Sequence, residues 1–508
     1  MPMERAARLV PEPRSSAEVT GEHSQFRLDL ERIRFSPYFS RLSAVTQVIA
    51  QPGAGPLIHN RLTHSIKVTA VARAIAVKLT DAASPARPLT LEHGCDAVVV
   101  QAAASAHDLG HPPFGHLGER VLDRLARETL GLVDGFEGNA QSYRILTALD
   151  VSEAAPRGLN LTAAVRTAVA KYPWTRYVGD AAASGGSDGP LPRGLRRTAD
   201  GVDALKFSAY GIDALDLEQA RAGLPPLQQS LECSIMDIAD DIAYSIHDVD
   251  DFYRAGVLSQ GAVAREFRGW IESSVPLRGL DDEALAARTA PPGSALESLR
   301  RKLGRSDPWV ADDDAFADAV DVVAEDLVDG LLAIQFDGSI ASERSLSSFT
   351  NRWISHLQSS VVPAPPDVVR AGLVTLDRRA WHEVEILKFV HRHFILDRAD
   401  IVMYQRGLSR VLSRAVKGLH AWITDEHDRD RVPQRLKELV EIASDGYARL
   451  RESRPEGVPT PEAAEVRSLG IGRGVVDYVA SLSDDQALAV AEALDGRPDR
   501  LWDIGKNL

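Results

Sequence analysis

The stretch His107-Asp108-Leu109-Gly110-His111-Pro112-Pro113-Phe114-Gly115-His116 sets three imidazoles and a carboxylate into one turn-rich segment between two helical patterns. Gly110 and the Pro112-Pro113 pair end the upstream helix, because proline lacks an N–H donor and biases the residue before it away from the α region. The helix end therefore presents His107 and Asp108, and the following turn presents His111. Of the 14 histidines, His59, His64, His107, His111 and His116 all fall within residues 59–116. Ionisable groups gathered near an interior cost free energy unless a metal or a partner offsets them. The cluster points to a metal-centred hydrolytic site.

Outward from that stretch the pattern stays helical. Residues 62–80 repeat apolar side chains at three- and four-residue steps and place His64 in the first turn. The same period predicts helices from residue 91 or 96 to 109, and over 116–130, 139–149, 161–170 and 229–254. Residues 26–48 read as two short helices broken at Ser36-Pro37. Beyond a polar, proline-containing stretch near 275–308, helical patterns run to the end, with breaks at 363–366 and 455–461. No segment alternates as a sheet strand does, so the fold class is all-α. The expected organisation is a disordered tail over 1–25, a catalytic core over 26–260, and a helical C-terminal region over 261–508 packing on that core. Gly, Pro and Ser crowd residues 176–201, which reads as a mobile loop, a lid in character.

With 508 residues, 44% of them apolar and 26% charged, the chain has ordinary globular composition and ample length for more than one core. It contains no apolar run long enough to span a bilayer, and its N-terminus has no apolar signal core. The expectation is a cytoplasmic protein with no membrane partner. Cys95 and Cys233 lie in apolar helical contexts and read as buried thiols, not as a disulfide or metal ligands. A net charge of −14 repels polyanions, so nucleic acid is not expected as the main ligand, and single-stranded DNA stays open only through a local basic patch. An anionic substrate would need its own arginines and lysines.

A histidine followed directly by an aspartate offers a metal one neutral nitrogen and one anionic oxygen, a set suited to Mn²⁺, Mg²⁺, Fe²⁺ or Zn²⁺. Two more ligands must come from elsewhere. His64 is the best upstream nitrogen, and the run Ala239-Asp240-Asp241-Ile242-Ala243-Tyr244 supplies a downstream carboxylate. Two histidines and two aspartates leave octahedral positions free for water and a phosphate oxygen.

Five blocks in order, NRLTHS (60–65), AHDLGHPPFGHLGE (106–119), FEGNAQS (136–142), GLNLT (158–162) with KYPW (171–174), and MDIADDIAYSIHDVDDFY (236–253), resemble the HD-domain deoxynucleoside triphosphate triphosphohydrolases, the bacterial dGTPase-like family. The resemblance spans roughly residues 35 to 255. It implies an HD-domain helical core and hydrolysis of dGTP or another dNTP to deoxynucleoside and tripolyphosphate. It implies His64, His107, Asp108 and Asp240 as ligands of Mg²⁺ or Mn²⁺, with Asp240 chosen over Asp241 by the four-residue step to Tyr244. Tyr244 then lies beside the sugar, where a 2′-hydroxyl would clash. His111 is implied at the phosphate, and His116 with Glu119 in the attack on the α-phosphorus, Glu119 raising the imidazole's pKa. Arg61, Lys171 and Tyr172 are implied at the triphosphate and Gln47 near the sugar 3′ end, with Lys206 a weaker phosphate candidate. A homo-oligomer and a second dNTP as effector also follow. Gly138 departs from relatives that carry histidine there. His59 has no matched role, and His391-Arg392-His393, with Arg378 and Arg379 nearby, reads as a solvated basic face.

Overall fold

Local sequence starts each helix of the core. In the computed structural model, which describes residues 4–11, 22–47, 59–153, 155–178, 191–198, 201–365, 368, 370, 372–396 and 398–496, Asn60 accepts from the Thr63 N–H and opens α2 (Arg61–Thr80). That helix follows α1 (Glu22–Phe35). Asp96 caps α3 (Ala97–Ala106) in the same way, Thr162 caps α6 (Ala163–Val169), and Ser230 caps α7 (Leu231–Arg254). Between them run α4 (Gly115–Glu128) and α5 (Gly138–Arg144), the latter continued by a π turn to Leu149. These agree with the periods read from the sequence to within a few residues.

The class is all-α. Among the described residues, strands occur only as two antiparallel pairs, β1 (Leu195–Thr198) with β2 (Gly201–Ala204) and β3 (Val361–Pro363) with β4 (Val374–Leu376). The first pair flanks part of the expected lid, whose residues 179–190 and 199–200 lie outside the described set. The tail expected over 1–25 departs from its reading in part. Residues 4–11 dock on the core, where Ala163 and Ala164 donate backbone N–H groups to Ala7 and Arg5, and Arg5 and Arg8 pair with Glu232 and Asp29 at 2.5 and 2.6 Å. The polar stretch near 275–308 also holds helices, Asp282–Ala286 and Ser294–Ser306. Both cysteines are free thiols, Cys233 buried and Cys95 half-buried. No helix among the described residues is long and apolar enough to cross a membrane.

Helix α7 is the axis of the core. It packs against α2, α3 and α6, and on its other side against α8 (Arg378–His391). Further C-terminal helices, α9 (Ala399–Thr424), α10 (Gln434–Ser453), α11 (Val466–Ala480) and α12 (Asp484–Leu494), lie against α4 and one another. A single apolar core runs through both halves of the chain.

A buried ionic knot joins the halves. From α5, the Gln141 amide and the Arg144 guanidinium donate to Asp477 of α11 at 3.0 and 2.9 Å, and Arg144 also reaches Asp213 at 3.1 Å. Arg473, one turn earlier on α11, lies over the Tyr210 ring at 3.8 Å. Removing one partner of a buried pair leaves an uncompensated charge, so Asp477→Ala is expected to cost about 3–5 kcal/mol. A lowered midpoint in chemical denaturation checks this, and an unchanged midpoint would show the knot to be energetically neutral.

Candidate metal centre

Nearly every side chain of α7 is buried, and the exceptions before Arg254 are Asp237, Asp240, Asp241 and Tyr244. Their spacing of three, four and seven residues is a single helical stripe, and it faces a cleft. Opposite it come His64 from the first turn of α2, and His107 and Asp108 from the end of α3. His64 Nε2 lies 3.1 Å from Asp240 Oδ1, and His107 Nε2 lies 3.6 Å from that oxygen and from Asp108 Oδ1. One ligand atom each from His64, His107 and Asp240 falls within 4.8 Å of the others. Bonds of about 2.1 Å to a central ion fit that spacing. His107 Nδ1 donates to the Ala104 carbonyl at 2.7 Å, which turns Nε2 toward the carboxylates.

The electrostatics ask for a cation. Burial pulls the His107 pKa down, yet Asp108 and Asp240 overcome it and hold it up at about 9. Burial opposes ionisation of both aspartates, and their cationic neighbours still keep them well below the usual carboxylate range, Arg61 and the histidines for Asp108, Lys171 and His107 for Asp240. Arg61 Nη1 meets Asp108 at 2.8 Å, and Lys171 Nζ bridges Asp237 at 2.7 Å and Asp240 at 3.0 Å. Asp241 turns away to Lys388 at 2.9 Å and Arg193 at 3.6 Å. The geometry thus separates the two neighbouring aspartates: Asp240 faces the histidines and Asp241 does not.

Next to this set lies a second group. His111 Nδ1 is 3.0 Å from Asp108 Oδ1, its ring is edge-on to His116 at 5.5 Å, and ligand atoms of His111, His116 and Glu119 fall within 4.8 Å of one another. Glu119 acts to raise the His116 pKa, as expected, but desolvation outweighs it and, with Arg61, His111 and Lys206, depresses the imidazole. The Glu119 carboxylate is engaged by Lys206 at 2.8 Å and the Gly138 N–H at 3.1 Å. Lys206 also meets Glu137 at 2.9 Å. A Cβ at Gly138 would stand 3.4 Å from His111 and 3.5 Å from Glu119, so a larger residue there would project between them.

Arg61 is fully buried and its Nη2 reaches the Gln47 carbonyl at 3.3 Å, while the Gln47 side-chain oxygen is buried without a partner among the described residues. Tyr172 and Lys171 border a cavity of about 600 Å³ that also takes in Trp174, Asp237 and Asp241. Tyr244 lies edge-on to His391 at 5.5 Å. That histidine corrects the basic-face reading: it is buried, paired with Asp248 at 2.7 Å and stacked on Phe252. Sequence reasoning also missed Ser142, whose hydroxyl accepts from the Gly110 N–H and donates to the His107 carbonyl, both at 2.8 Å. A Cβ at Gly110 would come within 2.2 Å of the Ser142 nitrogen and the Gly138 oxygen, which is why the turn needs glycine.

A helical core that gathers a histidine from one helix, a His-Asp pair from the end of another and an aspartate from a third defines the HD class, and residues 61–167 match the HD domain family. Over 507 residues, 97% of this chain and 96% of the relative, it is 29% identical to a deoxyguanosinetriphosphate triphosphohydrolase-like protein of Streptomyces coelicolor. Identity is 30% to one from Corynebacterium efficiens, over 74% of this chain and 75% of the relative, and 38% to one from Bifidobacterium longum over about half of each. The chain belongs to this family of deoxyguanosinetriphosphate triphosphohydrolase-like proteins, and is an HD-domain phosphohydrolase.

If the stripe is read correctly, Asp240→Asn abolishes Mn²⁺ binding in a calorimetric titration, whereas Asp241→Asn, which touches only the Lys388 and Arg193 side, retains it. Equal behaviour of the two variants would refute the choice of Asp240.

Proposed function

We propose that the chain hydrolyses a deoxynucleoside triphosphate at the α-phosphorus, releasing deoxynucleoside and intact tripolyphosphate. The observation that carries this reading is the adjacency of two groups, the His64, His107 and Asp240 set with Asp108 beside it, and the His111, His116 and Glu119 set. Mg²⁺ or Mn²⁺ held by the first set would polarise the α-phosphate and acidify water. Water oxygen bonds to phosphorus as the bond from phosphorus to the 5′ oxygen breaks; one water proton passes to His116 and from it to the 5′ oxygen, which leaves as the sugar hydroxyl. His116, depressed in pKa and therefore neutral near pH 7, serves as proton acceptor, with Glu119 and Lys206 fixing its surroundings.

In this reading the phosphate-binding cations are held in reserve. Arg61 and Lys171 now balance Asp108 and Asp240. With a cation held by these residues, the guanidinium and the ammonium would be freed to bind the triphosphate beside Tyr172. In the same reading Gln47, beside Arg61, would meet the sugar, and the Tyr244 ring would exclude a 2′-hydroxyl. The reading also carries a homo-oligomer and control by a second dNTP.

The test is product identity. Purified protein with each dNTP and Mg²⁺ or Mn²⁺, with and without a second nucleotide, is expected to show tripolyphosphate in ³¹P spectra, and none after Asp108→Ala. Pyrophosphate or phosphate as the first product would overturn the reaction proposed.

A further inference from the structure

Beside the metal stripe lies a row of side chains that the proposed reaction does not use. His64 has Nε2 toward Asp240 and His107, and its other ring nitrogen, Nδ1, lies 3.4 Å from Nδ1 of His247, with the two rings edge-on at 88°. His247 sits seven residues beyond Asp240 on α7, two turns along the same face, and is buried. Its ring stacks on that of His59, with centroids 4.9 Å apart and planes 14° from parallel. His59 is itself pinned twice by Asp251: its backbone N–H donates to the carboxylate at 3.0 Å, and its Nδ1 lies 2.5 Å from Oδ1. Lys67, one turn past His64 on α2, reaches the far nitrogen of His59. Asp251 lies one turn beyond His247, so α7 supplies both ends of the brace and α2 carries the ligand it steadies.

We propose that His247, braced by His59 and Asp251, is the positioning residue that sets the ring orientation and tautomer of His64 as a metal ligand. The inference rests on the metal reading above. Two ring nitrogens 3.4 Å apart share a hydrogen bond only when one of them carries the proton. A His64 that offers its Nε2 lone pair to an ion carries its proton on Nδ1, so the Nδ1–H donates and His247 Nδ1 accepts. Metal-bound histidines commonly donate their second nitrogen to a carboxylate or a carbonyl, and loss of that partner costs about 10–100-fold in affinity. Here the acceptor is another imidazole. An imidazole has two positions for its lone pair, so it accepts only if its own ring is held in one orientation. The flat stack on His59 and the two contacts from Asp251 to His59 supply that constraint.

The test measures binding, not turnover. Full-length wild type, His247→Asn, His247→Leu and His64→Ala are titrated with Mn²⁺ by calorimetry or electron paramagnetic resonance, with circular dichroism and melting in EDTA as checks on folding. Asparagine places an acceptor oxygen close to the position of Nδ1, and leucine offers none. The expected result is affinity in His247→Asn within a few-fold of wild type, and a loss of about 10–100-fold in His247→Leu. Equal affinity in the leucine variant, or equal loss in both, would overturn the proposal, because a histidine that only fills space does not distinguish asparagine from leucine in this way. If the leucine variant fails to fold, Asp251→Ala decides: it frees His59, and unchanged Mn²⁺ affinity in that variant overturns the brace. Failure of the metal reading looks different, since wild type then binds no Mn²⁺ or His64→Ala binds it as tightly as wild type.

Discussion

The Arg41 guanidinium holds four backbone carbonyls at once, those of Leu109 and His111 at 2.7 and 2.8 Å and those of Ala480 and Leu482 at 3.0 and 2.9 Å. This fork carries much of the structure. The glycine and prolines of the turn that follows α3 leave the Leu109 and His111 carbonyls without helical partners, and burial denies them water. Only a planar group with several fixed donors can serve two such sites on opposite sides, which a lysine cannot do. Burial lowers the pKa of Arg41 to about 10, still well above neutrality, so the charge persists. One end of the fork is the turn of the metal centre and the other is the end of α11, so the site keeps its shape only while the C-terminal half is docked.

A second constraint works beside it. Phe114 adopts a left-handed conformation (φ 64°), unfavourable for a bulky residue, and Gly115 follows at φ 58°. The pair turns the chain from the histidine stretch into α4 and so aims His116 and Glu119 at the cleft. Asp484 at the start of α12 accepts from the Phe114 N–H at 2.8 Å, and with its other oxygen from the N–H and hydroxyl of Thr46, next to Gln47. Strain of this kind persists where its surroundings over-determine it. The C-terminal helices, for which the sequence offered no motif, are thus the clamps of the cleft.

What could be read from sequence was local. Helix α2 announces itself through its three-to-four periodicity, and the His107-Asp108 end through Gly110 and two prolines, each within a few residues. What could not be read depends on distant partners. His59 and Asp251 are 192 positions apart and His64 and His247 are 183 apart, with nothing in either neighbourhood to connect them. His391 looked solvated because its neighbours are basic, yet its environment is set by Asp248 and Phe252 of α7. The stretch near 275–308 is polar and carries prolines, and its helices rest on partners outside them. Glu266, on the helix Gln260–Arg278, caps Ser294–Ser306 through the N–H groups of Ala295 and Leu296, and Glu297 is buried against Arg300 and Arg301. The pKa of His116 is depressed chiefly by burial, which comes from packing and not from any neighbour in sequence, and Glu119 only partly offsets it.

Helix α7 shows how these levels combine. By composition it should not be a buried helix, because it carries seven acidic residues and a histidine among its 24 positions. It is stable at the centre of the fold because its charged side chains are paired, most of them with other elements: Lys171 for Asp237 and Asp240, Lys388 and Arg193 for Asp241, His391 for Asp248, His59 for Asp251 and Arg5 for Glu232, while Asp250 pairs with Arg254 of α7 itself. Buried pairs of this kind contribute little net stability, since desolvation offsets most of the attraction. What they supply is direction. A helix pinned by so many separate ion pairs has one rotation about its axis that satisfies them all, and that rotation puts Asp240 toward His64 and His107 while Asp241, one residue on, faces away.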